Sequence, residues 1–176
     1  GMGVGASLCE TAMADTARSI LAAASTSGCR VILPEDAVVA RAFKAHAPSR
    51  VCPIHQIPAD GMILDVGPAS LLKLHEVIAA SKTLVWNGPV GAFETAPFDA
   101  TTVQIARMVA AASRAGLLHS VAGGGDTVAA LAHAGLGEEL SYLSTAGGAF
   151  LEWLEGKQLP GITALVRPND AMRAHA

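Results

Sequence analysis

Two glycine-rich segments, Gly123-Gly124-Gly125-Asp126-Thr127 and Ser144-Thr145-Ala146-Gly147-Gly148, have the residue types needed to hold an anion. Glycines between a strand and a helix let backbone N–H groups approach a ligand, and the helix N-terminus adds partial positive charge. In the first segment the Asp126 carboxylate stands where it could hold a magnesium ion bridging phosphate oxygens. The second has the same form without a carboxylate. At the carboxyl ends of parallel strands both would face one edge of the sheet, where α/β proteins bind ligands, so together they suggest a phosphate site. Taken singly, either loop also reads as a structural turn, and Asp126 as an ordinary helix N-cap. Neither contains a lysine or matches G-x-x-x-x-G-K-[ST], which excludes an ordinary P-loop; neither is G-x-G-x-x-G, which removes a dinucleotide fingerprint.

The elements that must position these loops follow from periodicity. Leu8, Met13, Ala17, Ile20, Leu21 and Ala24 recur at three- and four-residue intervals and predict a helix over 7–24, closed by Gly28. A buried strand is expected over 30–33, stopped by Pro34. Residues 35–43 stay open between strand and helix, because Val38 and Val39 favour one and the alanines the other. A strand over 62–66 turns at Gly67-Pro68 into a helix running to about residue 80. The strand over 83–86 then runs into Asn87-Gly88-Pro89-Val90-Gly91, a loop by its two glycines and proline. A helix over 101–115 ends at Gly116, a strand over 118–122 leads into the first glycine segment, and Tyr142-Leu143 leads into the second. Strand, glycine loop and helix alternate as in right-handed βαβ units, so the class is α/β with a mostly parallel sheet. Residues 167–176 read as a loose polar tail.

Length and composition narrow the field further. A chain of 176 residues suits one domain with a real core. Hydrophobic residues make up 51% and aromatics 4%, so that core is expected to be aliphatic. A net charge of −3 with scattered basic residues disfavours nucleic acid and anionic membrane surfaces as partners. No apolar run approaches the roughly 20 residues of a spanning helix, and the expected location is the cytoplasm. Cys9, Cys29 and Cys52 cannot all pair within the chain and are expected to be buried, reduced thiols. Cys52 and His55 lack the second pair that a structural zinc would need.

Recognition adds what spacing cannot. The string Leu84-Val85-Trp86-Asn87-Gly88-Pro89-Val90-Gly91-Ala92-Phe93-Glu94 closely resembles the W-N-G-P-[MV]-G-x-F-E signature of phosphoglycerate kinases. The match continues in Leu64-Asp65-Val66-Gly67-Pro68, in both glycine segments, in Leu154-Glu155-Gly156-Lys157-Gln158-Leu159-Pro160-Gly161, and early in the chain in Val4-Gly5-Ala6-Ser7-Leu8. The resemblance implies that residues 3–166 are a partial C-terminal, nucleotide-binding domain, a Rossmann-like three-layer sandwich incomplete at its N-terminal edge. It implies transfer of a phosphoryl group between 1,3-bisphosphoglycerate and ADP, or in reverse from ATP to 3-phosphoglycerate, with Mg2+. Glu94 would bond the ribose of ADP or ATP, and Asn87, Gly88 and Pro89 would shape the nucleotide pocket. Gly124, Gly125, Asp126 and Thr127 would meet the phosphates, with Asp126 also at the metal. Gly147 and Gly148 would offer helix N-terminal amides to the transferring group.

The family's second loop reads S-T-G-G-G-A-S, and here Ala146 and Phe150 replace its first glycine and its last serine. Tyr142 stands where the family has histidine, and Thr101 where a glycine precedes threonine. The resemblance also implies a missing partner, the phosphoglycerate-binding N-terminal domain, together with the first strand of the nucleotide domain and its lysines. The fragment alone is therefore expected to be inactive, and to self-associate through the exposed edge of its sheet. The alternatives are a non-catalytic nucleotide-binding module and an interaction protein that keeps only the fold.

Overall fold

The computed structural model describes residues 2–144 and 147–165. A 3₁₀ turn at Thr11–Met13 precedes α1 (Ala14–Ser27). Then follow β1 (Asp36–Ala40), β2 (Ser49–Pro53), β3 (Met62–Val66) and α2 (Pro68–Ala80). The second half alternates β4 (Thr83–Asn87), α3 (Ala100–Arg114), β5 (His119–Gly123), α4 (Gly125–His133), β6 (Tyr142–Ser144) and α5 (Gly147–Leu154), and ends on α6 (Pro160–Thr163).

The fold is α/β. Strands β4, β5 and β6 form a parallel sheet in that order, so β4 and β6 are its edges among the described residues. A second sheet, ordered β2-β1-β3, is antiparallel. Nothing in the strand-loop-helix alternation announces it, because β2 carries only one buried residue, Cys52, and lacks a period-two apolar face. β1 occupies the stretch that periodicity left open, and its buried Ala37, Val39 and Ala40 show why a strand won.

The main core is aliphatic, as composition requires, with Trp86 as its aromatic exception. Ile78, Trp86, Ile105, Val109, Ala122 and Leu131 pack between α2, α3, α4 and the parallel sheet. Helix α2 starts on Gly67 and Pro68, and its first turn is capped from outside: the Asp36 carboxylate of β1 accepts the amides of Ala69 at 3.0 Å and Ser70 at 2.9 Å. Helix α3 ends in a Schellman motif, with Gly116 at φ 68° donating to Ser113 O and Leu117 donating to Ala112 O.

Three expectations are corrected. Residues 30–33 are not a strand: they belong to neither sheet, and an apolar run without a ladder partner has nowhere to place its N–H and C=O groups in pairing. The helix expected over 7–24 begins later, at Ala14, and runs on to Ser27 before Gly28 closes it at φ 73°. Its apolar stripe does not face a core: Ala24 alone in α1 is buried, while Ile20 and Leu21, with Met13 just ahead of the helix, are exposed. Cys9 and Cys29, which flank this uncovered helix, are exposed, and only Cys52 is buried. The tail at 167–176 lies outside the described residues.

Candidate functional site

Parallel pairing in register brings the three loops to one edge. Asn87 lies beside Gly123 across β4 and β5, and Gly123 lies beside Ser144 across β5 and β6. The segments beginning at Asn87, Gly123 and Ser144 therefore all leave the carboxyl ends of adjacent strands.

The first loop is held by hydrogen bonds from both sides. The Gly88 amide donates to Thr127 Oγ1 at 2.7 Å, and the Trp86 indole N–H donates to Gly88 O at 2.7 Å. Gly88 has φ 89°, a conformation open to glycine without strain. Thr127 is fully buried, so its hydroxyl braces the Asn87-Gly88 turn. Pro89 is half-buried after it, and Val90 is fixed to α3 by its amide donating to Thr102 Oγ1 at 2.9 Å. The Thr102 hydroxyl in turn donates to Val90 O.

The second loop turns at Gly124, whose φ of 97° and ψ of 143° lie where L-residues are strained. Gly124 is the N-cap of α4, and no side chain caps that end. The ordinary capping role for Asp126 is thereby removed: it sits in the first turn, exposed. Helical bonding opens with Val128 N–H to Gly124 O, so the amides of Gly125, Asp126 and Thr127 have no partner within the helix. A Cβ added at Gly124 would stand 3.3 Å from Asn87 Oδ1, which shows how closely the first two loops approach.

The third loop is described only at its ends. Ser144 is buried at the end of β6; Thr145 and Ala146 lie outside the described residues. Gly147 opens α5 against the second loop, where a Cβ would meet Gly124 Cα at 2.5 Å and Gly124 N at 2.8 Å. Gly148 is exposed beside it, with nothing near its missing side chain.

Asn87, Gly88, Gly124, Thr127 and Gly147 are thus brought into one cluster, with Gly125, Asp126 and Gly148 exposed on it. Glu94 belongs to a different anchorage. It occupies an exposed turn closed by Thr95 N–H to Ala92 O, and that turn is tied to β3 by Ala92 N–H to Leu64 O at 2.7 Å.

Behind the loops lies a support that the sequence reading did not single out by role, the buried carboxylate of Asp65. It accepts the amides of Val66 at 2.8 Å and Thr101 at 3.1 Å. Burial pushes its carboxyl above the usual value; the Thr101 and Val66 hydrogen bonds oppose this, and the Asp99 carboxylate adds to it. Thr101, a departure from the family pattern, is also buried and donates its hydroxyl to Val66 O at 3.2 Å. An acidic residue inside the apolar strand Met62–Val66 was the available signal.

The donor chemistry suits magnesium. This ion favours hard oxygen ligands and is commonly held by one or two carboxylates plus phosphate oxygens and water. Asp126 offers one exposed carboxylate beside the free helix amides, and among the described residues no cluster of three or more His, Cys, Asp or Glu side chains forms a protein-only cage. Among the same residues no helix is long and apolar enough to cross a membrane.

A family model described as phosphoglycerate kinase matches residues 1–157. Phosphoglycerate kinase of Azorhizobium caulinodans is 61% identical over 167 residues, which cover 95% of this chain and 42% of that protein. The enzyme of Zymomonas mobilis subsp. mobilis is 59% identical over 165 residues, or 94% and 42% of the two chains. The chain thus spans about two fifths of the length of the relatives it matches. Among solved structures, phosphoglycerate kinase from Coxiella burnetii superposes with a TM-score of 0.87 at 40% identity, over 94% of this chain and 42% of that one. The Pyrococcus horikoshii OT3 enzyme, at 23% identity and a TM-score of 0.62 over 86% and 38%, shares the fold.

Proposed function

The chain belongs to the phosphoglycerate kinase family, and on that premise we propose that residues 3–166 are the C-terminal, nucleotide-binding part of a cytoplasmic glycolytic kinase, followed by a tail at 167–176. The reaction is phosphoryl transfer between 1,3-bisphosphoglycerate and ADP. The observation that carries this reading is the side-by-side register of Asn87, Gly123 and Ser144, which gathers three loops and two helix N-termini at one sheet edge.

In this reading the amides of Gly124, Gly125, Asp126 and Thr127 receive the phosphates of ADP or ATP. Asn87, Gly88 and Pro89 shape the wall beside them, and Glu94 takes the ribose. Asp126 would hold Mg2+, which when bound neutralises charge on the phosphate oxygens. The α5 amides at Gly147 and Gly148 face the transferring group, whose equatorial oxygens carry the negative charge that catalysis must stabilise. Phosphoglycerate binding belongs to an N-terminal domain within the remaining length of the relatives, so this part alone is inactive.

The exposed stripe of α1 and the edge of β4, unpaired among the described residues, support self-association of the isolated chain. Light scattering at rising concentration tests it, and a monodisperse monomer refutes it.

Calorimetric titration with magnesium ADP, beside an Asp126→Ala variant, tests the main reading. Saturable binding weakened by the substitution supports it. Absence of binding would leave family membership as a statement of ancestry rather than of what these residues do.

A further inference from the structure

Phe150 is a departure from the family's loop pattern, and its ring has a specific seat. It lies in α5 three residues after Gly147, and residues so spaced share one helix face. That face meets the first glycine loop twice. Gly147 abuts Gly124, as its missing side chain shows, and the Phe150 ring lies over Gly123: a Cβ added there would meet Phe150 Cδ1 at 3.0 Å and Cε1 at 3.6 Å. Gly123 is buried at the end of β5, one residue before the N-cap of α4. The same ring stacks with Trp153, with centroids 6.4 Å apart and planes inclined by 23°.

We infer that Phe150 is a positioning residue: its ring, in contact with Gly123 and stacked with Trp153, sets the distance between the N-terminus of α5 and that of α4. These are the two helix ends that the proposed function turns toward phosphate, and the inference rests on that reading for its consequence in binding. A serine at this position, as in the family pattern, is too short to span from α5 to Gly123. Its hydroxyl would not replace the ring's contact with Trp153. The spacing of the two helix ends therefore depends on the ring here. Ground-state affinity for a ligand that touches both ends is sensitive to such a shift.

Hydrogen exchange and calorimetry on the wild-type chain, Phe150→Ser and Phe150→Leu test this. Faster exchange confined to the N-terminal halves of α4 and α5, from the first hydrogen-bonded amides such as Val128 onward, is expected in Phe150→Ser, with α2 and β3 unchanged and with Phe150→Leu close to wild type. Magnesium ADP should bind about fivefold more weakly to Phe150→Ser and within about twofold of wild type to Phe150→Leu, the size of a modest contact coupling. Adenosine, which lacks the phosphates, should bind the two variants alike. Unchanged exchange in Phe150→Ser overturns the inference, and so does acceleration spread over α2 and β3. If Phe150→Ser does not fold, Phe150→Ala carries the comparison: acceleration at the same two helix ends supports the role, and none overturns it. Localised exchange changes in a chain that binds no ADP would support the spacing role while overturning the nucleotide reading.

Discussion

The amide of Gly88, just after β4, donates to the hydroxyl of Thr127, in the first turn of α4, at 2.7 Å across 39 positions of sequence. One hydrogen bond therefore ties the loop that follows one strand to the helix that follows the next. Thr127 is fully buried and Gly88 half-buried, so losing this acceptor would leave the Gly88 N–H poorly satisfied.

Thr127→Val keeps shape and removes that acceptor. An orphaned donor costs about 1–3 kcal/mol, so the urea midpoint should fall accordingly. Thr127→Ser keeps the oxygen, and should lose much less. Equal losses in the two variants would show that the methyl packing, rather than the hydrogen bond, sets the stability of this loop.

Asp36 should contribute to the loss of stability in acid. Burial raises its carboxyl, but the Ser70 hydroxyl and the amides of Ser70 and Ala69 outweigh burial and hold it below the ordinary value of 3.8. A carboxyl lowered in the folded state contributes stability that is present above 3.8 and is lost as pH falls through the folded value. Asp36→Ala should remove this acid-sensitive increment and cost about 2 kcal/mol near neutrality, as loss of a helix cap does. Chemical denaturation repeated from neutral pH down to well below 3.8 reads both.

Asp65 should act with the opposite sign. Its carboxyl is raised, burial being the main cause, so the contribution is fully present below 3.8 and is lost as pH rises through the folded value. Asp65→Asn should flatten stability against pH in that window. It should still cost stability at neutral pH, because an amide can accept only one of the Val66 and Thr101 amides that the carboxylate accepts with separate oxygens. A pH profile unchanged by the substitution would remove Asp65 from the titration.

What was legible in the sequence had local causes. β3 and α2 stood out because Gly67-Pro68 punctuates them, and the glycine loops because each falls between an apolar run and a helical one. What was not legible depended on partners distant in sequence. Residues 30–33 have the composition of a strand, and only a neighbour would make them one. The stripe of α1 is regular, and periodicity records an apolar face without recording what covers it. Nor does any spacing rule connect Thr127 to Gly88, or Asp36 to the first turn of α2; both links arise when strands bring separate segments together. That these glycines lie together was foreseeable, and the bonds bracing them were not.

Adjacent glycines at the start of α5 separate packing from chemistry. An added Cβ at Gly147 would meet Gly124 Cα at 2.5 Å and Gly124 N at 2.8 Å, both backbone atoms that cannot rotate away. Gly147→Ala must therefore push α5 off the Gly124 loop, and overpacking of this kind costs about 1–3 kcal/mol. At Gly148 an added Cβ meets nothing within 4 Å. Alanine is the better helix former there, so Gly148→Ala should leave stability unchanged or raise it by up to about 1 kcal/mol. Because the Gly148 substitution leaves the fold intact, its effect on binding reports on the helix end itself. If magnesium ADP binds Gly148→Ala as it does wild type while Gly147→Ala binds weakly, the contact of α5 with Gly124 is what nucleotide affinity requires. If Gly148→Ala alone weakens binding without loss of stability, the new methyl group obstructs a ligand at the exposed helix end, and Gly148 lines the site directly.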